Sequence, residues 1–492
     1  MAGSARGHKG FVMVVGVALA LALNALPAIG LPTLADLGSD PYSNSTSQHA
    51  TQVEPDSFAF GTTIVAAAQT GRFTNGGSSN ICFATSKDSG GTWTSGCLPG
   101  ITVFSSPAGT YDRVSDPAVA YDPKHDVWMI SSLGLSGGSS VKGAAILTSR
   151  STDGGLTWGS PVVTAAATGT NDYDKNWIAC DTWAASPYYG NCYTQWDNYG
   201  AGNRLLMSTS TDGGLTWGTP KQTSNAGTGL GGQPVVQPNG TVIVPSANAN
   251  ETAIIAFRST DGGATWSSTT AVTSVKHHTV AGSLRTGPLP TAEVDASGKV
   301  YVVWQDCRFR KRCASNDLVM STSTNGTTWS NPVRVPIDAV TSTVDHFIPG
   351  LAVDRSSSGA TARLALAYYS YPTANCSSAT CQLQVGFISS KDGGATWSAP
   401  QTLAGPMSLS WIASTTQGRM VGDYISTSFV GSLAFPMFVV ATAKVGTAFV
   451  ERRTSVATGI SGEVASAAAS GLDVAVTRTG DRPAAGSAVA RQ

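Results

Sequence analysis

One short motif returns along this chain at a spacing that few architectures accept. It reads Ser-Lys-Asp-Ser-Gly-Gly-Thr-Trp at 86–93 and Ser-Thr-Asp-Gly-Gly-Leu-Thr-Trp at both 151–158 and 210–217. It returns as Ser-Thr-Asp-Gly-Gly-Ala-Thr-Trp at 259–266 and Ser-Lys-Asp-Gly-Gly-Ala-Thr-Trp at 390–397. A copy one residue short, Ser-Thr-Asn-Gly-Thr-Thr-Trp, lies at 323–329. The tryptophans fall 65, 59, 49, 63 and 68 residues apart, a period that signals stacked supersecondary repeats. The chemistry of each copy is that of a hairpin turn. The Asp carboxylate accepts from turn N–H groups, Gly supplies positive φ, and Thr-Trp opens the next strand. Most copies follow a strand-like run, as at Ala144–Ser149, Leu205–Ser210, Ile254–Arg258 and Leu383–Ser389. Composition agrees with a β-rich chain. Only 12% of the 492 residues are charged, with 30 basic and 30 acidic side chains, so no basic field for nucleic acid exists.

These copies resemble the Asp-box (the bacterial neuraminidase, or BNR, repeat) of sialidase-like β-propellers. The resemblance spans about residues 45–456. It implies an all-β propeller in which each box joins the third and fourth strands of a blade, away from the active site. A pair of strand-like runs precedes each box: Ser57–Ala68, Pro117–Leu133, Trp177–Trp196, Pro234–Ser246, Leu289–Gln305 and Ile348–Tyr369. A seventh pair, Met420–Ala443, follows the last box. Seven blades are therefore favoured over six. Ala448–Thr454 would supply the third strand of the last blade, and the stretch 42–53 would close the ring from the other end. Closure removes free sheet edges.

The first 30 residues read as a secretory signal peptide. Arg6 and Lys9 precede an apolar run, Phe11–Leu23, and small residues follow near Ala28–Gly30. That run is too short to span a bilayer, so after cleavage no membrane partner is expected. Eight cysteines suit an oxidising compartment. They lie in close pairs, Cys82 with Cys97, Cys180 with Cys192, Cys307 with Cys313, and Cys376 with Cys381, and nearest-neighbour bridging is the simplest pairing. No CxxC pair or Cys/His cluster points to a metal, and no cofactor is expected. Residues 457–492, rich in Ala, Gly and Ser, read as a disordered tail outside the repeats.

Charged residues gather at the starts of the first strands, which in the resembling family line the ligand mouth. They include Glu54, Asp56, Arg113, Asp116, Asp174, Lys175, Arg285, Asp345, His346, Arg419 and Asp423, with Tyr424 beside them. Sialidases hold a carboxylate with three arginines and use a tyrosine nucleophile, a glutamate base and an aspartate acid/base. Guanidinium suits the first task because it binds carboxylate bidentately and stays charged. The resemblance thus implies Arg113, Arg285 and Arg419 as substrate ligands, Tyr424 as nucleophile, Glu293 as its base and Asp116 as acid/base. The Phe/Tyr-Arg-Ile-Pro motif of true sialidases is absent. Asp174, Lys175, Arg308 and His346 complete the expected substrate-binding set.

Three further features bear on function. Eight aromatics crowd 173–199 (Tyr173, Trp177, Trp183, Tyr188, Tyr189, Tyr193, Trp196 and Tyr199), as a sugar-stacking platform or as core. The loop Cys307-Arg-Phe-Arg-Lys-Arg-Cys313 forces Arg308, Arg310, Lys311 and Arg312 together, and an anion would relieve their repulsion. His346 beside Asp345 offers an acid/base pair. The leading expectation is a secreted, monomeric glycoside hydrolase of exo-α-sialidase type acting on an anionic glycan. The alternatives are a non-catalytic propeller that binds a glycan or protein, and a polysaccharide lyase using His346 and Tyr424.

Overall fold

The computed structural model describes residues 1–3, 33–137, 140–446, 449–456 and 458–459. The expected signal peptide, except its first three residues, and nearly all of the expected tail lie outside them. Among the described residues helix is confined to four three-residue 3₁₀ turns, and everything regular is antiparallel sheet.

Apart from the short hairpin Ser414–Thr415/Gly418–Arg419, the strands fall along the chain into seven antiparallel groups, the first two joined into one eight-stranded sheet where Ser78 pairs with Val114. The first comprises Gln48–Phe60, Thr63–Arg72, Ser78–Ser86 and Thr94–Cys97, and the second Arg113–Asp122, Val127–Ser136, Lys142–Ser151 and Val162–Ala166. The third comprises Tyr173–Cys180, Cys192–Asn198, Arg204–Ser210 and Lys221–Gln222. In the fourth, the short Gly229–Leu230 and Val235–Val236 pair with Val242–Asn248, followed by Ala253–Ser259 and Thr270–Ser274. The fifth runs Thr291–Val294, Val300–Asp306, Asp317–Ser323 and Val333–Arg334. The sixth runs Asp345–Val353, Leu364–Tyr371, Gln382–Ser390 and Gln401–Ser408. The seventh holds Ser426–Val430, Leu433–Ala441 and Glu451–Ser455. Its outer strand comes from the chain start: Ala35 and Asp36 pair with Ser455 and Thr454. The chain-start segment that pairs with group seven is therefore Ala35–Asp36 and not the stretch 42–53, most of which leads into or forms the first strand of group one. Arg453 holds this junction, donating from Nε to the Leu37 carbonyl at 3.0 Å and also binding the Cys82 and Phe83 carbonyls. Thr458–Gly459, on the expected tail, adds a short strand beside Leu433 and Ala434.

Each group packs its faces on its neighbours. Ala118, Ala120 and Met129 of group two meet Ile178 and Cys192 of group three. Tyr193 and Met207 of group three meet Val244 and Phe257 of group four. Ile64 and Ala66 of group one meet Phe435 and Met437 of group seven. Trp196 and Trp304 are fully buried, and truncating either to Ala would cost about 3–5 kcal/mol.

The repeat motif sits at the turn between third and fourth strands in groups one to six. In the five full copies the Asp carboxylate takes bonds from the N–H and hydroxyl of the Thr four residues on and from the Ser hydroxyl two residues before, as the second copy shows. Asp153 Oδ1 accepts from the Leu156 and Thr157 N–H groups at 3.0 Å, Oδ2 accepts from Thr157 Oγ1 at 2.6 Å, and Ser151 Oγ donates to Oδ1 at 2.7 Å. The second glycine lies in the left-handed region and against the preceding group. A Cβ on Gly155 would sit 2.7 Å from Val65 Cγ2, and one on Gly263 only 2.2 Å from Thr209 Oγ1. The motif thus shapes a turn and also leans each group on the one before it. The equivalent glycine of the first copy, Gly90, leans on Phe435 of group seven.

All four short-range cysteine pairs are bridged. No helix among the described residues is long and apolar enough to cross a membrane.

Candidate functional site

The first strands carry a local device that aims charge inward. Groups one, two, three and six each break register near the start of the first strand, between Val53 and Asp56, Ser115 and Ala118, Asp174 and Trp177, and Phe347 and Gly350. Within these bulges Glu54, Asp116, Lys175 and Ile348 take φ of 46°, 49°, 48° and 50°. Positive φ at a residue with a side chain costs about 1–3 kcal/mol, and such strain collects where a side chain must be re-aimed.

Three of those four residues meet. Lys175 Nζ lies 3.3 Å from Glu54 Oε1, 3.0 Å from Asp116 Oδ1 and 2.5 Å from Asp423 Oδ2. Glu54 and Asp116 are wholly buried and Lys175 is 4% exposed. Burial opposes the charge on Lys175, but the carboxylates of Asp116, Asp423 and Glu54 outweigh it and hold the proton well above the ordinary lysine range. Gln69 bonds Glu54, and Arg72 donates to Gln69 Oε1 at 3.3 Å, which extends the network outward. Asp197, also wholly buried, receives Asn203 Nδ2 at 2.7 Å, and burial raises its carboxyl well above the usual range.

Asp423 carries the network to solvent. Its Oδ2 also lies 2.5 Å from an Arg285 nitrogen. Burial works to raise the Asp423 carboxyl, but Arg285 and Lys175 prevail and lower it. Above it opens a cleft of about 510 Å³, lined by Asn250, Glu251, His277, Arg285, Gln417 and Asp423. Glu251 behaves oppositely: burial, reinforced by the Asp423 charge, raises its carboxyl. Burial lowers the His277 imidazole and keeps it neutral near pH 7. One cleft thus holds a carboxyl raised above its ordinary value, another held below it, a guanidinium and an imidazole lowered by burial.

The expected residues distribute differently from the sialidase pattern. The three arginines do not converge. Arg113 donates to Asn75 Oδ1 at 2.6 Å and the Gly76 carbonyl at 2.8 Å, and stacks on Phe73. Arg285 goes to Asp423, while Arg419 turns to the Ile412 carbonyl. Arg285 and Arg419 are adjacent through backbone alone, Arg285 N–H donating to the Arg419 carbonyl at 2.5 Å. Tyr424 is 8% exposed, donates its hydroxyl to the Pro117 carbonyl at 2.9 Å, and packs edge-on against Trp177 at 4.9 Å. Glu293 and Tyr424 line different cavities. Asp116 sits in the lysine cage, without exposure to solvent. Asp174 pairs in register with Asp197 and receives the Lys175 N–H at 3.1 Å.

The stapled basic loop is largely neutralised from within. Arg308 pairs with Asp306 at 2.7 Å, and Arg310 is buried between Asp317 and Asp338, each at 2.6 Å. Only Lys311 and Arg312 of its cations are exposed. Asp345 pairs with His278 Nδ1 at 3.2 Å, and the bond raises that imidazole. His346 is buried instead, with Nδ1 3.3 Å from the Asn316 carbonyl and its ring edge-on to Tyr368. Asp317, Asp338 and His346 lie close enough to hold a cation, but Arg310 and Arg334 already occupy the carboxylates. Three of the eight clustered aromatics are core, Tyr193 and Trp196 fully buried and Tyr173 packed on Trp196, and the other five are half-buried.

Residues 188–349 match the BNR repeat-like domain. No curated protein matches the sequence. Among solved structures, a polysaccharide lyase described as an ulvan lyase is 11% identical and superposes with a TM-score of 0.48, over 87% of this chain and 96% of that one. A protein of unknown function from Dyadobacter fermentans is 15% identical, with a TM-score of 0.46 over 73% and 100% of the two chains. A Trypanosoma rangeli sialidase is 14% identical, with a TM-score of 0.42 over 69% and 58%. The recurrent Asp-boxes agree with the match of residues 188–349, about a third of the chain, to the BNR repeat-like domain.

Proposed function

We propose that the chain is a secreted, monomeric seven-bladed propeller that hydrolyses an anionic glycan in the cleft between Glu251 and Asp423. The observation that carries this is the opposite displacement of two carboxyl groups within one cleft. Such a split separates an acid from a base, because the raised group keeps its proton to a higher pH than the lowered one. Glu251 would protonate the leaving oxygen. Asp423, kept ionised by Lys175 and Arg285, would activate water or stabilise positive charge at the sugar carbon. Arg285 gives the cleft its preference for an acidic sugar. The arginines are not gathered as a sialic-acid clamp would need, so the reading is a hydrolase of uronate-bearing or sulfated glycan before an exo-sialidase. The packing of group seven on group one, and the bridged cysteines, support the ring and the export.

A lyase is the second reading, favoured by the neutral His277 beside Arg285. A base and a cation are what proton abstraction next to a uronate carboxylate needs. A panel of acidic and neutral polysaccharides with product analysis separates the two. Hydrolysis gives saturated ends and is lost in Glu251→Gln. Elimination gives an ultraviolet-absorbing unsaturated uronate and is lost in His277→Ala. No cleavage of any panel member would overturn both.

A further inference from the structure

The cleft lies at the starts of the first strands. At their other ends a second cavity opens, of about 380 Å³, within the size range of small-ligand pockets. Phe58, Phe60, Trp183 and Phe429 contribute walls, and its ionisable groups are Glu293, Arg355 and Asp354, the last paired with Arg363. An inner extension of about 60 Å³ continues past Asp56 toward Trp177.

Arg355 is the unusual group. Its guanidinium carbon sits 5.1 Å from the centre of the Trp183 ring and 5.8 Å from that of Phe58. One nitrogen donates to Thr182 Oγ1 at 2.6 Å, while Nε is buried without a partner. No carboxylate among the described residues forms an ion pair with it. Burial lowers the guanidinium, with Glu293 and Asp181 opposing from a distance. The nearby carboxyls are themselves held up by burial, Glu293 and Asp56 each at about 7. A half-buried cation with no ion-pair partner, beside carboxyls that burial holds up, is a costly arrangement unless an anion joins it.

We propose that this cavity is a second binding site, separate from the cleft, for a sugar acid of monosaccharide size. The ligand carboxylate pairs with the Arg355 guanidinium at the cavity wall. Its ring lies against Trp183 and Phe60, since aromatic faces favour the C–H face of a sugar. Its hydroxyls reach Glu293, which donates when protonated, and the serine hydroxyls of Ser57 and Ser428, 2.9 Å apart at the cavity wall. The assignment stands whether or not the cleft is catalytic.

Hydrogen exchange on the full chain, with D-glucuronate, D-glucose or benzoate added, reads this site apart from the cleft. Glucuronate is expected to protect segments 57–61, 181–186 and 427–431, and glucose is not. Benzoate tests whether any flat carboxylate suffices, and equal protection by benzoate would overturn the sugar assignment. Arg355→Met is expected to abolish the protection. Phe60→Ala, a truncation at a side chain 41% exposed, is expected to weaken glucuronate about tenfold. If the Met variant does not fold, Thr182→Val and Phe60→Ala carry the test, and unchanged affinity in either overturns the site. Absence of protection at these segments in the unmodified chain, or protection that survives in Arg355→Met, would also overturn it.

Discussion

Two sets of carboxylates in this molecule do opposite things with the same side chain. Those of the Asp-boxes lie at the outer turns, almost fully exposed, and bond only to residues within four positions. Those of the axis, Glu54, Asp116 and Asp423, are buried and meet at one lysine across sequence separations of 121 and 59 residues for Glu54 and Asp116. In a box, N–H and O–H donors supply the stabilisation of the negative charge, and water supplies the rest. In the buried set, one ammonium meets three carboxylates, and Arg285 shares Asp423 with it. The lesson is that a local motif tolerates loss of a copy, whereas the axis has no spare part.

The largest break in the comparison is therefore Lys175→Met. Removing the one cation caged by three carboxylates leaves uncompensated buried charge, and the expected loss is about 3–5 kcal/mol. Urea denaturation would measure it. A loss under 1 kcal/mol would mean the cage is solvated or protonated and not ionic. The same variant should weaken cleavage at the cleft, because Asp423 loses a group that keeps it ionised.

Next comes the box glycine that leans on the preceding group. Gly263→Ala places a Cβ 2.2 Å from Thr209 Oγ1 at a φ of 83°, so strain and overpacking act together. The expected destabilisation is about 2–3 kcal/mol, read as a lower urea midpoint. Gly61→Ala is the control, since its φ of 60° is also positive but nothing lies within 4 Å. Equal effects at the two glycines would show that the lean contributes nothing beyond backbone conformation.

The sequence made the boxes legible because their chemistry is complete within eight residues. Residue types alone placed a hairpin turn at each copy, the resemblance to the Asp-box family implied its place between third and fourth strands, and the Asp bonds follow the pattern that residue types imply. The four cysteine bridges were legible for the same reason. The site was legible only as a list of charges. Lys175, Asp116, Glu54 and Asp423 stood out at strand starts, but which of them meet depends on bulges that no local signal marks except Glu54-Pro55 and Asp116-Pro117. Glu251 and Asp197 escaped notice: the first lies in a plain second-to-third-strand turn, the second inside an aromatic strand. Three arginines in suitable positions did not converge, because each found a nearer acceptor. Arg355 lay beyond the end of a strand, where nothing in the sequence distinguishes a cavity from a surface.

The exposed set can be probed with acid. In the Asp88 carboxyl, bonds from the Thr92 backbone and hydroxyl hold the value at about 2. Asp153 reaches about 2 as well, since the Thr157 bonds outweigh the effect of its slight burial. A carboxyl whose folded value lies below its ordinary 3.8 stabilises the fold fully above that value. The contribution is lost as pH falls from about 4 toward 2. Asp153→Ala is expected to cost about 1 kcal/mol at pH 7, the net worth of a few solvent-screened hydrogen bonds. The difference between variant and parent should shrink through that window. A cost that stays constant to pH 2 would assign it to the turn's shape and not to the carboxylate.

The smallest effect sharpens the comparison most, because it asks whether the degraded copy is still a box. Asn325 replaces Asp in a turn one residue shorter. Its Oδ1 alone accepts from Thr327 N–H at 2.9 Å, Thr327 Oγ1 at 3.1 Å and Thr328 N–H at 2.9 Å. An uncharged amide oxygen therefore carries bonds that two carboxylate oxygens share elsewhere. Asn325→Asp should strengthen those bonds by charge, and exposure should limit the gain to about 0.5 kcal/mol. By the same sign as above, the gain is present at pH 7 and disappears as pH falls below about 4. Thermal melts at pH 7 and pH 3 would resolve it as a rise in midpoint at the first and none at the second. If the substitution lowers the midpoint at pH 7, the shortened turn is held by the Ser323 hydroxyl, which donates to the Thr328 carbonyl at 2.7 Å, and the acidic residue is dispensable at this one corner.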